Sequence, residues 1–292
     1  TDRIPIDFGG SPVTGIHALV IKKLRDYFQL EPKPVKVIEP YQMLGEVDEE
    51  LKEIIGIDTI GIIPKNNMFA IANEDWKEFR MPWGQVVLIP GNFKTTIDSD
   101  GSFLVYPEGD TTVPASAKMP ASGYFFDAII RQEPIDENNL DPKNNLEEFN
   151  LLSESDIAYW KNVVDSFEGS DKAIVATFGG TTFGDIALVT AMDLKHPRGI
   201  RDISEWYMST AIRQDYVHAI FEKQCEIGIK NLAQLYKVVG DRVDTVFICG
   251  TDFGTQNSQF CSSDTYDTLY APYYKRVNGW IHDNTSWKSM KH

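Results

Sequence analysis

Short apolar segments that read as buried strands alternate with segments of helical period along most of this chain. The predicted strands are residues 4–9, 58–64, 172–178, 244–250 and 286–292. Strands that are apolar on both faces and are separated by helices are typical of a parallel sheet covered by helices. Five such strands suffice for an open doubly wound sheet, whereas a closed barrel needs eight. The alternation alone therefore predicts an α/β fold and leaves both architectures open.

The helices are predicted from apolar periodicity and from the residues at their ends. Gly56 supplies a C-cap for the second helix, and Ser153 with Asp156 supplies a capping-box start for the third. The predicted spans are about residues 14–30, 47–55, 153–167, 184–192, 215–239 and 262–282.

Residues 65–150 interrupt the alternation with turn residues, aromatic residues and prolines. Residues 93–97 and 102–106 flank the turn Asp98-Ser99-Asp100-Gly101, which is the pattern of a β-hairpin. The same aspartates resemble the start of a calcium loop, but the later ligands and the closing Glu are absent, so the hairpin is preferred. We therefore predict a single domain over residues 1–292, with residues 65–150 as a hairpin-containing excursion from it.

Composition limits the classes of partner. The net charge of −15 is spread along 292 residues and repels nucleic-acid phosphates and anionic lipid. No apolar run approaches the ~18 residues of a membrane span. Three cysteines without CxxC spacing predict no disulfide framework and a cytoplasmic location. The first residues contain neither an initiator Met nor a signal peptide, so we expect some N-terminal residues to be missing.

Ligands of parallel α/β folds bind at the carboxyl ends of the strands, which nominates a short set of residues. That set is Asp7 after the first strand, Gly179, Gly180 and Thr181 after the third, Thr251, Asp252 and Gln256 after the fourth, and His292 on the fifth. The other four histidines fall on or near predicted helices, where a packed or solvated role is the default. No pair of histidines has metal-ligand spacing.

Asp252 is the strongest of these candidates. It follows a buried strand and lies between Gly250 and Gly254, which let the backbone bend towards a ligand. A carboxylate there can accept a proton, orient a cationic substrate or hold a metal-bound group. The alternative is an Asx-turn that caps the next helix, but Ser262 is better placed for that cap.

The other candidates have structural alternatives of similar weight. The turn at residues 179–184 has neither dinucleotide-binding nor P-loop spacing. Its glycines either expose backbone amides to an anion or allow close packing of strand and helix. Asp7 either points into the site or hydrogen-bonds its own turn.

Several parts of the chain, taken together, carry a family pattern: residues 4–10, 42–64, 178–189 and 246–282. Particular markers are Glu46-Val47-Asp48, Asp252, Tyr266, Tyr270 and the run Ala271-Pro272-Tyr273-Tyr274-Lys275. In these residues the chain resembles the uroporphyrinogen decarboxylase superfamily. That resemblance implies a TIM-type (α/β)8 barrel, present here as an incomplete barrel of about five of the eight strands. About 80 residues would then be lacking at the family's usual barrel length.

The resemblance offers two branches, a cofactor-free decarboxylase of tetrapyrrole biosynthesis and zinc-dependent methyltransferases that work with corrinoid proteins. The decarboxylases carry an arginine-rich segment after the first strand and an acidic residue after the second. Here those places read Phe8-Gly9-Gly10-Ser11-Pro12-Val13-Thr14 and Ile62-Ile63-Pro64-Lys65. Without the arginines that would bind the substrate's carboxylates, a chain of net charge −15 is unfavourable for an octa-anionic substrate.

The methyltransferase branch ends its fifth strand with His-x-Cys, and His292 aligns with that histidine. The leading hypothesis is therefore a methyltransferase with Zn²⁺ at His292 and a methylcobamide carried by a partner corrinoid protein. Asp252 and Gln256 would orient a small-molecule substrate, with the remaining candidates in the pocket wall. Residues 65–150 would form a lid or docking surface. The alternatives are a uroporphyrinogen decarboxylase and a non-catalytic scaffold, and a homo-oligomer is compatible with each.

Overall fold

The computed structural model describes residues 3–178 and 180–292, which group into two compact units. The first unit comprises Thr1–Ile129, Asp171–Val175 and Met192–His196, and the second comprises Ile130–Ser170, Ala176–Ala191 and Pro197–His292. None of the helices in residues 3–178 and 180–292 combines the length and the apolar character that crossing a membrane requires.

The strands number thirteen among the described residues. They are β1 Ile16–His17, β2 Val35–Glu39, β3 Leu44–Gly45, β4 Thr59–Ile62, β5 Lys77–Arg80, β6 Val86–Ile89, β7 Thr95–Ile97, β8 Phe103–Val105, β9 Ala117–Met119, β10 Asp127–Ala128, β11 Ala173–Ala176, β12 Thr245–Cys249 and β13 Lys288–Lys291. The α-helices are α1 Ala18–Tyr27, α2 Glu49–Ile55, α3 Glu154–Asp165, α4 Ile186–Val189, α5 Ile203–Ile212, α6 Gln214–Val239, α7 Ser263–Thr265 and α8 Ala271–Asn284.

The prediction of an incomplete (α/β)8 barrel is wrong. The described strands belong to three separate sheets of five, four and four strands, and two of these sheets contain antiparallel pairs. A barrel of this class requires one sheet of parallel strands, each followed by a helix. The strands of residues 65–130 are instead joined by short turns. Short connections of this kind join antiparallel strands, because parallel neighbours need a longer crossover. The fold is mixed α/β with several small sheets.

The first predicted strand, residues 4–9, is irregular in the structure. Pro5 has no backbone N–H to give to a ladder, and the N–H of Ile6 donates to the Asp58 carboxylate at 2.7 Å. Local hydrogen bonds therefore replace strand pairing here. The other four predicted strands are confirmed as β4, β11, β12 and β13, each shorter than predicted.

The first unit contains a mixed sheet and an antiparallel sheet. The mixed sheet has the order β1-β3-β2-β6-β5, in which β2 and β6 are parallel and the remaining pairs are antiparallel. The second sheet, β10-β9-β8-β7, is antiparallel throughout. It includes the predicted hairpin, because Thr95 pairs with Val105 and the N–H of Asp98 donates to Ser102 O at 2.9 Å. Gly101 has φ 82°, the left-handed conformation that such a turn favours.

Aromatic and aliphatic side chains of these sheets form the core of the first unit. Phe69 is fully buried, and its ring centroid lies 6.2 Å from those of Phe93 and Phe126. Helix α1 buries Ala18 and Ile21 in the same cluster. Its Arg25 is also buried and donates to the Asp48 carboxylate, which keeps the charge paired.

The long helix α6 organises the second unit and packs against α3, α5 and α8. Phe221 on its apolar face lies 5.5 Å from Phe183 and 5.7 Å from Tyr273, measured between ring centroids. Strands β12 and β13 run parallel, with Thr245 opposite Lys288 and Phe247 opposite Met290. The helix predicted over residues 215–239 is confirmed within one residue of its expected start.

The last predicted helix is divided by a single π-helical turn, Tyr266–Tyr270, which lies between α7 and α8. In that turn the N–H of Ala271 donates to Tyr266 O, five residues back. Pro272 follows directly and has no N–H for the carbonyl four residues before it, so the regular α-helical pattern cannot run through this point.

Candidate functional site in the second unit

The carboxyl ends of β12 and β13 bring two of the predicted residues together. Asp252 follows β12 by three residues, and His292 directly follows β13. The N–H of His292 donates to Cys249 O at 3.0 Å, which continues the pairing of the two strands by one residue. Nδ1 of His292 then lies 3.1 Å from Oδ1 of Asp252. Both side chains remain accessible, with exposed fractions of 55% and 41%.

This contact determines which nitrogen of His292 is available for chemistry. A carboxylate can only accept a hydrogen bond, so Nδ1 carries the proton and donates it to Asp252. The lone pair of the neutral ring is then on Nε2. An imidazole oriented in this way can accept a proton or coordinate a metal through Nε2.

Asp185 is a further carboxylate in the same unit, and the sequence analysis did not select it. It is the N-cap of α4 and accepts a hydrogen bond from the N–H of Ala187 at 3.0 Å. Its pKa is raised to about 6, chiefly by burial and also by the charge of Asp252, while His292 acts in the opposite direction. Its position before a helix was a usable signal for a cap, but its proximity to Asp252 depends on packing.

Thr181 and Thr251 use their hydroxyl groups to hold the site together. Thr181 Oγ1 donates to Ile248 O at 2.7 Å, and Thr251 Oγ1 donates to Thr182 O at 2.6 Å. Both residues are buried. These bonds fasten the segment after Gly180 to the end of β12. Gly180 itself has φ 116°, and it packs closely on Gly228, since a Cβ at position 228 would lie 3.1 Å from Gly180 O.

The remaining predicted residues are placed differently. Gln256 is exposed in a loop that is closed by a bridge between Gly254 and Gln259. Asp7 belongs to the first unit, where it accepts hydrogen bonds from Thr59 Oγ1 at 2.6 Å and from Gly10 N at 2.9 Å. The bond from Gly10 is the local turn bond that was its structural alternative, whereas Thr59 lies on β4, 52 residues further along the chain. Gly179 lies outside the described residues.

Tyr207 on α5 is the second group that the sequence analysis missed. Its hydroxyl is buried and has no hydrogen-bond partner among the described residues, and its ring stacks on Phe260 at 4.4 Å. The pKa of Tyr207 is raised to about 12, chiefly by burial and also by the charges of Asp252 and Asp185. The phenol is therefore a neutral hydrogen-bond donor that electrostatics link to both carboxylates.

Comparison of the chain with models of protein families, with curated proteins and with solved structures found no match.

A zinc ion does not fit the described residues by themselves. Within residues 3–178 and 180–292, no group of three or more His, Cys, Asp or Glu side chains is arranged to hold a metal. Cys249 is the cysteine nearest in sequence to Asp252, but its Sγ is buried and donates to Thr182 O at 2.9 Å. We call the pair Asp252 and His292 the dyad. Of the four ligands that a structural or catalytic zinc usually needs, the dyad offers one imidazole and one carboxylate.

The first unit contains a separate cavity of about 440 Å³. Its lining includes three carboxylates, Glu74, Asp75 and Glu108, with the side chains of Asn66 and Asn92. Lys65 lies 3.8 Å from Glu74, and Lys195 lies 3.0 Å from Glu108, so two of these charges are partly compensated. The predicted site residues that the structure groups together belong to the second unit, and this cavity is not part of that group.

Proposed function

We propose that the second unit carries a methyltransferase-type site for a small molecule, in which Asp252 orients His292 and Nε2 of His292 takes a proton from the methyl acceptor. The observation that carries the proposal is the contact of 3.1 Å between Nδ1 of His292 and Oδ1 of Asp252. A positioned imidazole is the most common general base of enzymes, because its ordinary pKa lies near neutrality. The methyl-transfer class itself comes from the sequence resemblance.

The chemistry assigned to the dyad is the activation of an acceptor such as a thiol. A thiol is a poor nucleophile until its proton is removed, and ordinary thiols have a pKa of about 8.5. Nε2 of His292 would accept that proton, and the Asp252 carboxylate would stabilise the resulting imidazolium ion. The thiolate would then attack the methyl carbon of the donor, and as the S–C bond forms the bond from the donor to that carbon would break, with its electron pair leaving on the donor.

Zinc and a methylcobamide-bearing partner, which the resemblance implies, would respectively acidify a thiol and carry the methyl group. Because the described residues do not gather three zinc ligands, the proposal gives His292 and Asp252 proton transfer and orientation rather than metal binding. Zinc and a methylcobamide can therefore each be added or left out in the experiment.

Charge around the site supports methyl transfer over decarboxylation of a polycarboxylate. Five of the six arginines of the second unit, at positions 198, 201, 213, 242 and 276, are already in ion pairs with Glu or Asp, and the sixth, Arg131, donates to Ala191 O at 2.6 Å. The site itself presents Asp252 and Asp185. An octa-anionic tetrapyrrole would meet carboxylates rather than free guanidinium groups, which is unfavourable for binding.

The test is methyl transfer from methylcobalamin to 2-mercaptoethanol by the full chain, with and without added zinc. The variants are His292→Ala and Asp252→Asn, and the matched control is His282→Ala, which removes an exposed histidine of α8. We expect His292→Ala to reduce the rate by about 10²–10⁴-fold. Asp252→Asn should reduce it by about 10–100-fold, and the control should leave it unchanged.

Two outcomes would contradict the proposal. One is a methyl-transfer rate that His292→Ala leaves unchanged. The other is decarboxylation of added uroporphyrinogen at an appreciable rate without methyl transfer, which would favour the decarboxylase branch.

A further inference from the structure

The side chain of Lys291, an exposed residue at the end of β13, places its ammonium group against three aromatic rings. Its Nζ lies 4.2 Å from the ring centroid of Tyr274, 5.4 Å from that of Tyr266 and 5.9 Å from that of Phe253. Tyr270 backs this group, since its ring centroid lies 5.0 Å from that of Phe253. We call Phe253, Tyr266, Tyr270 and Tyr274 the aromatic basket.

The basket holds a cation without an ion pair. Within the described residues, the Lys291 ammonium forms a hydrogen bond to the Tyr266 hydroxyl at 3.0 Å and has no carboxylate partner. This happens in a chain of net charge −15, with Asp264 and Asp267 in the segment that carries the basket tyrosines. The faces of aromatic rings attract cations through their quadrupoles, most strongly where water is excluded. Tyr270 and Tyr274 are buried, Phe253 and Tyr266 are half-buried and Lys291 is exposed, so the basket is a partly covered surface site.

We infer that the aromatic basket is a binding subsite for an organic cation, such as a methylated ammonium group, and that Lys291 fills it when no such ligand is bound. The rings of the basket contact the positive charge, and the Tyr266 hydroxyl is the one hydrogen-bond partner that the basket offers. A quaternary ammonium ion has no N–H to satisfy and therefore loses little by exchanging water for these faces. An uncharged ligand of the same shape would lack the attraction to the rings.

The basket and the dyad contain neighbouring residues of the chain at two places. Phe253 directly follows Asp252, and Lys291 directly precedes His292. A cation in the basket would therefore lie against the sequence neighbours of both dyad residues, and the inference adds that the rest of its molecule reaches Nε2 of His292. The carboxylates of Asp252 and Asp185 would favour the approach of a positive charge. This inference relies on the proposed function for the position of the reacting centre, and it names the substrate class for that centre.

The experiment is isothermal titration calorimetry of choline, with its uncharged isostere 3,3-dimethylbutan-1-ol as the comparison ligand, against the full chain. The opening variant is Lys291→Met, which removes the ammonium group and keeps an unbranched side chain. Lys288→Met, on the same strand and exposed, is the matched control. We expect Lys291→Met to bind choline about tenfold or more tightly than the native chain and than the control. The isostere should bind the variant at least about tenfold more weakly than choline does.

A second substitution keeps the inference falsifiable if the first alters the fold locally. Phe253→Leu in the Lys291→Met background should weaken choline binding by about 5–30-fold, because one ring face is lost and apolar volume is kept. Circular dichroism of each variant checks that the fold is retained. Equal affinities for choline and the isostere, or choline affinity that neither Lys291→Met nor Phe253→Leu changes, would overturn the inference.

The failure of this inference differs from a failure of the proposed function. His292→Ala should keep its choline affinity within about twofold, because the imidazole does not belong to the basket. If choline binds as expected but His292→Ala leaves methyl transfer unchanged, the subsite stands and the function is wrong. If methyl transfer depends on His292 but choline binds no better than its isostere, the function stands and the subsite is wrong.

Discussion

Replacing the buried carboxyl group of Asp185 by an amide should stabilise the second unit at neutral pH and leave its stability unchanged in acid. The carboxyl pKa of Asp185 is raised from the ordinary 3.8 to about 6, chiefly by burial. A carboxyl group with a raised pKa contributes stability that is fully present below pH 3.8 and is lost as the pH rises through 6. The shift of about two pH units corresponds to roughly 3 kcal/mol in the free energy of unfolding. In Asp185→Asn the side-chain amide would still offer an oxygen to the N–H of Ala187, so most of the capping interaction is kept.

The assay is urea unfolding of both proteins between pH 4 and pH 8, followed by tryptophan fluorescence. Trp160, Trp206, Trp280 and Trp287 all belong to the second unit and report on its unfolding. We expect the variant to gain about 2–3 kcal/mol relative to the native chain at pH 7.5 and nothing at pH 4. Asp202→Asn removes another capping aspartate, that of α5, and shows what the loss of a cap charge does alone. A difference between Asp185→Asn and the native chain that stays constant from pH 4 to pH 8 would refute the reasoning, as would a variant that is less stable at pH 7.5.

Three further predictions concern stability. Phe69→Ala should cost about 3–5 kcal/mol in the unfolding of the first unit, because the ring is fully buried among Phe93 and Phe126; a loss below about 1 kcal/mol in urea unfolding would contradict that packing. Gly61→Ala should cost about 1–3 kcal/mol, since a Cβ there would lie 2.3 Å from Gly9 O, whereas Gly279→Ala in open space on α8 should stabilise by about 0.5–1 kcal/mol; thermal unfolding separates the two. Burial raises the pKa of Glu39 to about 7, although hydrogen bonds from the backbone N–H groups of Tyr41 and Gln42 act in the opposite direction. Its stabilising contribution should therefore be lost as the pH rises from 4.5 through 7. NMR titration of the carboxyl carbon would show a midpoint near 7, and a midpoint near 4.5 would contradict the prediction.

The elements with local signals could be predicted from the sequence. The hairpin β7–β8 was predicted because alternating residues flank a turn with Gly101 at the left-handed position. Helix α6 was predicted over residues 215–239 because apolar residues recur there at helical spacing. In both cases the residues that determine the structure are neighbours along the chain, so no knowledge of distant partners was needed.

The arrangement of the strands could not be predicted in the same way. Strand β2 was not recognised, and it pairs in parallel with β6, about fifty residues further along the chain. Pairing of this kind depends on which faces are buried together, and the period of a single segment does not contain that information. The family resemblance then supplied a barrel in place of the missing pairings, and the three small sheets replace it.

Some residues of the candidate site could be predicted from local sequence signals, and others depend on how distant elements pack. Asp252 and His292 were selected because strand ends cluster in parallel sheets, and the parallel pairing of β12 with β13 is what places them together. Asp185 and Tyr207 come from a helix cap and a helix face, so their approach depends on how α4 and α5 pack. Thr181 and Thr251 have the right chemistry for a ligand, but burial directs their hydroxyls to backbone carbonyls.

The π-helical turn has a consequence for how the basket could be lost or gained. Relative to an α-helix, this turn contains one additional residue before Pro272. Deleting Thr268 would remove that additional residue and rotate the residues before it by about 100° around the helix axis, with Pro272 unchanged. Tyr266 would then face away from Lys291, while α8 would keep its packing on α6. On the inferred subsite, a single-codon deletion would thus remove one ring of the basket and the one hydroxyl that it offers to a cation, and leave Tyr274 in place, so the length of this turn is a simple marker of cation affinity to compare among related chains.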